Sequence, residues 1–280
     1  MSLFDAAELN GFLDALGYQE QPMAVFYTDK QPEGGFTPKP GDTPTLEKEQ
    51  AGQIDWGAVF GNFSCVMGNV WRARKKHGIA WFSAEHYGCP GGAFYLGFLK
   101  PQTDAICAYV SSGVPGAMQG ENYISDPKTC RRIFEEMDPP LAGGEYCVFK
   151  PLDLLAPDEI PELVVFFARP EVITGLHMLS SYVTGDLNAV SSPFGVGCSH
   201  AVSFARQHAA AGERKAVLGG WDPSCRKYYK TDEISFSVPW AFFQDMLAKW
   251  RQSFLTTGTW KLCQKKIARS QRAWGEGENG

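Results

Sequence analysis

Residues 61–98 read GNFSCVMGNVWRARKKHGIAWFSAEHYGCPGGAFYLGF. Cys65 leads a helical pattern through Lys76, with Val66, Val70 and Ala73 as its apolar stripe. Cys65, Gly68, Asn69 and Arg72 fall on another face. Gly78 stops the helix, Ile79–Ser83 reads as a strand, and Cys89 follows in the turn Gly88-Cys89-Pro90-Gly91-Gly92. The stretch from Gly195 to Cys225 repeats this layout: Cys198, a helical segment, a strand, then Cys225. An Ala-Arg pair follows the first cysteine in each copy, Ala73-Arg74 and Ala205-Arg206. A glycine, Gly78 or Gly212, precedes each strand, and an apolar strand lies upstream, AVFYT at 24–28 and VVFFA at 164–168. Matched order at similar spacings, 24 residues from Cys65 to Cys89 and 27 from Cys198 to Cys225, predicts an internal duplication of residues 23–98 and 163–238. The competing explanation is that common parts of an α+β chain occur twice by chance.

Outward from these stretches, residues 3–17 predict an amphipathic helix through Leu9, Phe12, Leu13 and Leu16. Residues 29–50 carry four prolines and three glycines, so they predict a long loop, a lid or a surface insertion. Helices are also expected at Ala93–Phe98, Asp104–Tyr109, Pro127–Met137 and from Pro170. Others are expected over Val196–Ala210, from Pro239 to about Trp250, and over Thr259–Trp274. Strands are expected at Glu145–Pro151, Leu163–Ala168, Lys215–Gly219 and Ile234–Val238. In the last helix Trp260, Cys263 and Ile267 share one side, and the basic residues around them read as a solvated face. The pattern as a whole is α+β: mixed sheets with flanking helices, one domain over residues 1–280.

Hydrophobic residues are 44% and charged residues 20%, the balance of a globular chain of 280 residues. A net charge of −5 without a basic cluster argues against nucleic acid as a partner. No apolar run is long enough to span a bilayer and no leader is visible, so a cytoplasmic location is expected.

In a reducing compartment the eight cysteines are expected as free thiols, metal ligands or reactive thiolates rather than disulfides. Cys65 and Cys198 sit where helices begin, and unpaired N–H groups there stabilise a thiolate. Cys89 and Cys225 sit in turns. These four are the candidate ligands of a [4Fe–4S] cluster or of zinc. Cys107, Cys130, Cys147 and Cys263 fall inside regular elements and read as packing residues. His86 stands three residues before Cys89, and His200 two after Cys198. Either could complete a mixed metal site or serve a cysteine nucleophile, Cys89 or Cys198, acting on a small molecule. A sensor that binds a small molecule without thiol chemistry is the third reading. There is no Walker A loop, no H-E-x-x-H and no Ser-His-Asp signature.

Several segments together resemble a known family. They are AVFYT ahead of the Cys65–Ala73 helix, Cys89-Pro90-Gly91-Gly92 running to Leu96-Gly97-Phe98, and LVVFFARPEVITGLHMLSSYVTG at 163–185. Gly197-Cys198, Cys225-Arg226-Lys227, Asp232-Glu233-Ile234 and Val238-Pro239 complete the set. In these the chain is similar to the family catalogued as domain of unknown function 169, the ArCR group of archaea and anaerobic bacteria. The resemblance implies no assigned activity. The anaerobic distribution is compatible with an oxygen-sensitive cofactor, and residues 29–50 look like an insertion relative to shorter members.

Overall fold

The computed structural model describes residues 4–277, with side chains through Trp274. In chain order the first elements are α1 (Ala6–Leu16), β1 (Met23–Thr28), α2 (Leu46–Gln50), α3 (Trp56–Gly61), α4 (Val66–Lys76) and β2 (Ala80–Phe82). There follow α5 (Pro90–Tyr95), α6 (Asp104–Val110), β3 (Gly113–Val114), β4 (Met118–Gln119), α7 (Pro127–Met137) and β5 (Tyr146–Pro151). The rest of the chain forms β6 (Leu163–Ala168), α8 (Pro170–Thr184), β7 (Val190–Ser191), a π-helical turn (Ser199–Ser203), α9 (Phe204–Ala210) and β8 (Ala216–Gly219). It ends with β9 (Ile234–Pro239), α10 (Trp240–Lys249) and α11 (Gly258–Gly277).

Seven strands form one mixed sheet in the order β2-β5-β1-β6-β9-β8-β7, antiparallel except for the β7–β8 pair. Helices cover both faces, as the α+β reading requires. Alternation along the two central strands decides which residues each face receives. Met23, Val25, Leu163, Val165 and Phe167 pack under α4, α5, α7 and α9. Ala24, Val164, Phe166 and Phe236 pack against α1, α8 and α10. Both central strands are therefore buried on both sides, which is why they read as continuous apolar runs rather than alternating ones.

The register runs the same way outward from the centre. Ala24 faces Val164 across the β1–β6 pair. On its other side Ala24 faces Lys150, the next residue Phe149 faces Ala80, and Ala80 bridges Phe36 in parallel. From Val164 the series is Val238, then Ser237 facing Val217, then Val217 pairing Ser191 in parallel. The β5 strand takes part in this pattern although it lies outside residues 23–98. The first half reaches it through residues 83–145, the second half reaches β9 through residues 220–233 alone. Two arginines lie over aromatic rings: the Arg74 guanidinium is 4.2 Å from the Phe167 ring centre, and that of Arg206 4.2 Å from the Tyr27 ring centre.

Three expectations are adjusted. The 29–50 segment is pinned to the sheet edge rather than free as a lid: Phe36 bridges Ala80, and Trp81 Nε1 donates to the Gly34 carbonyl at 2.8 Å. Thr45 caps the short α2 within it. In α11, Trp260 is buried and Ile267 half-buried, but Cys263 is exposed. Gln264, one position further round, faces inward and donates to the Ala15 carbonyl at 3.1 Å. The predicted helix over 3–17 is found as α1, capped by Asp5 and stopped by Gly17 in the left-handed region; Leu3 lies outside the described residues.

Candidate functional site

Cys65 is the N-cap residue of α4, without a side-chain cap hydrogen bond; its carbonyl accepts the Gly68 N–H at 3.0 Å. Cys89 is the N-cap of α5, with Pro90 in the first turn, and its sulfur accepts the Gly92 N–H at 3.2 Å. The helix therefore starts at Pro90 rather than Ala93. One hydrogen bond ties the two cysteine segments together, Ser64 N–H to the Gly88 carbonyl at 2.9 Å. Gly88 has φ +81°, and a Cβ there would stand 2.2 Å from the Ser64 carbonyl oxygen. Only glycine lets the Cys89 turn lie this close to Cys65.

In the second half the helical run opens at Gly197, so Cys198 is in its first turn and the π-helical turn follows at once. Such π segments are inserted where a helix must re-aim its side chains. Cys225 opens a 3₁₀ turn after β8; its thiol donates to the Asp222 carbonyl at 3.4 Å and receives the Gly197 N–H. A Cβ on Gly197 would stand 2.7 Å from Cys225 Sγ and 2.9 Å from Met67 Cγ. Gly197 is thus the point where the Cys225 turn, the Cys198 helix and the start of α4 meet. The β2 and β8 strands run in opposite directions. Cys65, Cys198 and Cys225 belong to the apolar layer over one face of the sheet.

Burial pushes all four thiols above the ordinary range, Cys89 to about 12. For Cys198 the nearby Cys65, Cys89 and Cys225 sulfurs add to that effect. Asp222 raises each of the four further, against the Gly92 and Gly197 N–H groups that favour a thiolate at Cys89 and Cys225. A group of buried sulfurs that repel one another as anions is neutral by itself and becomes anionic around a cation. Among the described residues, no three His, Cys, Asp or Glu side chains close on a point that could hold a single metal ion. Tetrahedral zinc asks for sulfurs at about 2.3 Å from one centre. A [4Fe–4S] cube is held at its corners and asks for sulfurs spread further apart. Thiols are the donors that both groups use.

The histidines stand apart from each other. His200 is buried, its Nε2 donates to the Pro193 carbonyl at 2.9 Å, and its Nδ1 has no hydrogen-bond partner. Burial pulls its pKa below the usual value. His86 is engaged elsewhere: its N–H donates to Ser83 Oγ at 3.1 Å and its ring lies 4.8 Å from the Trp81 ring. Cys107 and Cys130 hydrogen-bond each other between α6 and α7, and Cys147 pairs with the Tyr27 hydroxyl, so these three are packing residues.

Two neighbours of the sulfurs escape the sequence reading, Asp222 and Tyr95. Asp222 is legible only as an Asp-Pro turn; its carboxylate accepts Ser224 N–H at 2.9 Å and Ser224 Oγ at 2.8 Å. Burial and then the Cys198 sulfur push the Tyr95 hydroxyl well up. Both line a cavity of ≈320 Å³ beside the cysteines, with His200, Phe134, Phe194 and Trp221. A larger opening of ≈640 Å³ lies at Trp71, Arg74 and Lys230, away from the cysteines. Its charges neutralise one another, Arg74 and Lys230 with Glu20 and Glu233. No helix among the described residues is long and apolar enough to cross a membrane.

No curated protein and no solved structure matches the chain. The profile of the uncharacterised ArCR family, domain of unknown function 169, matches residues 12–249, from the middle of α1 to the end of α10. That span contains every cysteine except Cys263 and the whole seven-stranded sheet, and the chain belongs to this family.

Proposed function

We propose that the protein is a cytoplasmic iron–sulfur protein in which Cys65, Cys89, Cys198 and Cys225 hold one [4Fe–4S] cluster, with a redox role toward a small molecule. The observation that carries this reading is that Cys65, Cys89 and Cys225 each act electrostatically on Cys198, two of the four being buried and two half-buried. When bound, such a cluster supplies or accepts one electron. The chain's own residues would hold it with thiolates and tune it with the N–H groups of Gly92 and Gly197 that face Cys89 and Cys225. Burial under the helix layer would keep water from it. The matching register of the two halves supports the further reading that they are copies of one unit. Each copy would then contribute one helix-start cysteine and one turn cysteine.

A cysteine nucleophile is less well supported. Its thiol needs a lowered pKa and an imidazole partner. All four thiols are raised, His86 is held by Ser83, and His200 points its Nε2 at Pro193.

The test is iron content and the broad absorption near ~400 nm of protein made without oxygen. Replacing Cys65, Cys89, Cys198 or Cys225 singly with serine is expected to remove most of the iron and the colour. Cys263→Ser, at an exposed position, is expected to leave both intact. Equal losses across all five variants, or none, would sink the assignment.

A further inference from the structure

The exposed face of α4 is built against stability. Lys75 and Lys76 stand three and four positions after Arg72 on it, where like charges repel. Trp71, 38% exposed, leaves an indole in water among them. Lys227 and Tyr228 join from the turn that Cys225 opens, and the Tyr228 ring lies 6.4 Å from that of Trp71. A Cβ on Gly68 would stand 2.9 Å from Tyr228 Cζ, so the bare backbone there seats the ring against α4. A lysine ammonium lies 5.2 Å from each ring centre, Lys75 over Trp71 and Lys227 over Tyr228. None of Arg72, Lys75, Lys76 and Lys227 has a carboxylate partner among the described residues. The helix dipole accounts for Lys75 and Lys76 at the C-terminal end of α4. It accounts neither for Trp71 nor for the pair from the other segment.

This cluster borders the ≈640 Å³ cavity, whose wall includes Trp71 and Lys75. The volume is that of an ordinary small-molecule site. Within it Arg74 and Lys230 answer Glu20 and Glu233, and His77 faces Asp153 at 3.1 Å. The charge left over is therefore that of Lys75 in the wall and of the unpaired cations beside it. A cation entering would meet no free carboxylate, and an uncharged molecule would leave those cations unanswered. Several cations around one group match the double charge of a phosphate monoester better than the single charge of a carboxylate.

We infer that this cavity and the cationic rim of α4 bind a planar heteroaromatic molecule that carries a phosphate, the chemistry of a nucleotide. The ring stacks on Trp71, and the phosphate is held by Lys75 with Arg72, Lys76 and Lys227 around it. The aromatic ring supplies the affinity that a surface ion pair alone lacks. The binding does not rest on the function proposed above, because none of the four cysteines lines the cavity.

Adenosine monophosphate, adenosine and inorganic phosphate are the probes, titrated by calorimetry into the full chain made without oxygen, with iron measured on the same sample. The monophosphate is expected to bind saturably, and adenosine and phosphate each at least about tenfold more weakly. Lys75→Gln, at an exposed position, is expected to weaken the monophosphate about three- to tenfold and to leave adenosine unchanged. Trp71→Leu is expected to weaken both about tenfold, with the iron content of the two variants unchanged. Adenosine or phosphate binding as tightly as the monophosphate, or Lys75→Gln binding the monophosphate like the parent, would overturn the inference. So would a single-stranded oligothymidylate that binds more than about a hundredfold tighter than the monophosphate, because the surface would then follow a strand rather than hold one ring. Saturable monophosphate binding by protein without iron supports the site and fails the cluster. A full iron complement with no monophosphate binding overturns the site alone.

Discussion

Arg74→Met is expected to lower the unfolding free energy by about 3–5 kcal/mol, the cost of removing one partner from a buried charge group. The guanidinium bonds Glu20 at 2.8 Å and Glu233 at 3.0 Å, and it lies over the Phe167 ring. The Glu233 side chain is 3% exposed, so losing Arg74 leaves a carboxylate in the core with the Lys230 ammonium as its remaining cationic partner. Arg206 lies over Tyr27 and has a different partner. Glu162 is 36% exposed, and water can take over its charge. What Arg206→Met orphans are the carbonyls of Pro140 and Leu141, each accepting at 3.0 Å. A smaller loss, about 2–3 kcal/mol, is expected there. Urea unfolding of the two variants checks the order. An Arg74→Met/Glu233→Gln double variant should regain part of the Arg74 loss, because the stranded charge is gone. A larger cost at Arg206 than at Arg74 would show that the carbonyls, not the buried carboxylate, dominate.

Gly219→Ala is expected to cost about 3 kcal/mol, at the upper end of overpacking. The added methyl would meet backbone-proximal atoms of His200 rather than the tip of a flexible chain. His200 sits in the π-helical turn immediately after Cys198, so relief requires moving the segment that carries both. Iron content should therefore fall together with stability. Gly61→Ala is the control: nothing lies within 4 Å of a Cβ there, at the end of α3, and a change within about 0.5 kcal/mol is expected. Equal stability of the two variants would mean that the His200 segment is free to shift.

How much of this was readable beforehand follows from which forces are local. Leu163–Ala168 and Pro127–Met137 were legible to the residue, because an apolar run, a cap and a first-turn proline decide them. The two-residue β7, the β3–β4 hairpin and α3 were not, because too few residues in each carry a periodic signal. The pairing of β5 with β1 was also hidden. The sequence comparison linked stretches that follow each cysteine, while the matching strands β5 and β9 are separated from theirs by segments of very different length. The places of the four cysteines at helix starts and in turns were legible from local signals. His86 was grouped with them through nearness in sequence, and its contacts with Ser83 and the Trp81 ring are tertiary detail that spacing does not encode. Asp222 and the unbonded Nδ1 of His200 depend on tertiary contacts that no spacing encodes.

The most direct measurement is iron and acid-labile sulfide per chain in wild-type protein purified without oxygen. Four iron and four sulfide per chain, about, is the expected result for one cube held by Cys65, Cys89, Cys198 and Cys225. One zinc per chain with no sulfide would contradict the cube while keeping the four cysteines as ligands. Neither iron nor zinc, with all four thiols titrating as free in the unfolded chain, would contradict the metal site itself.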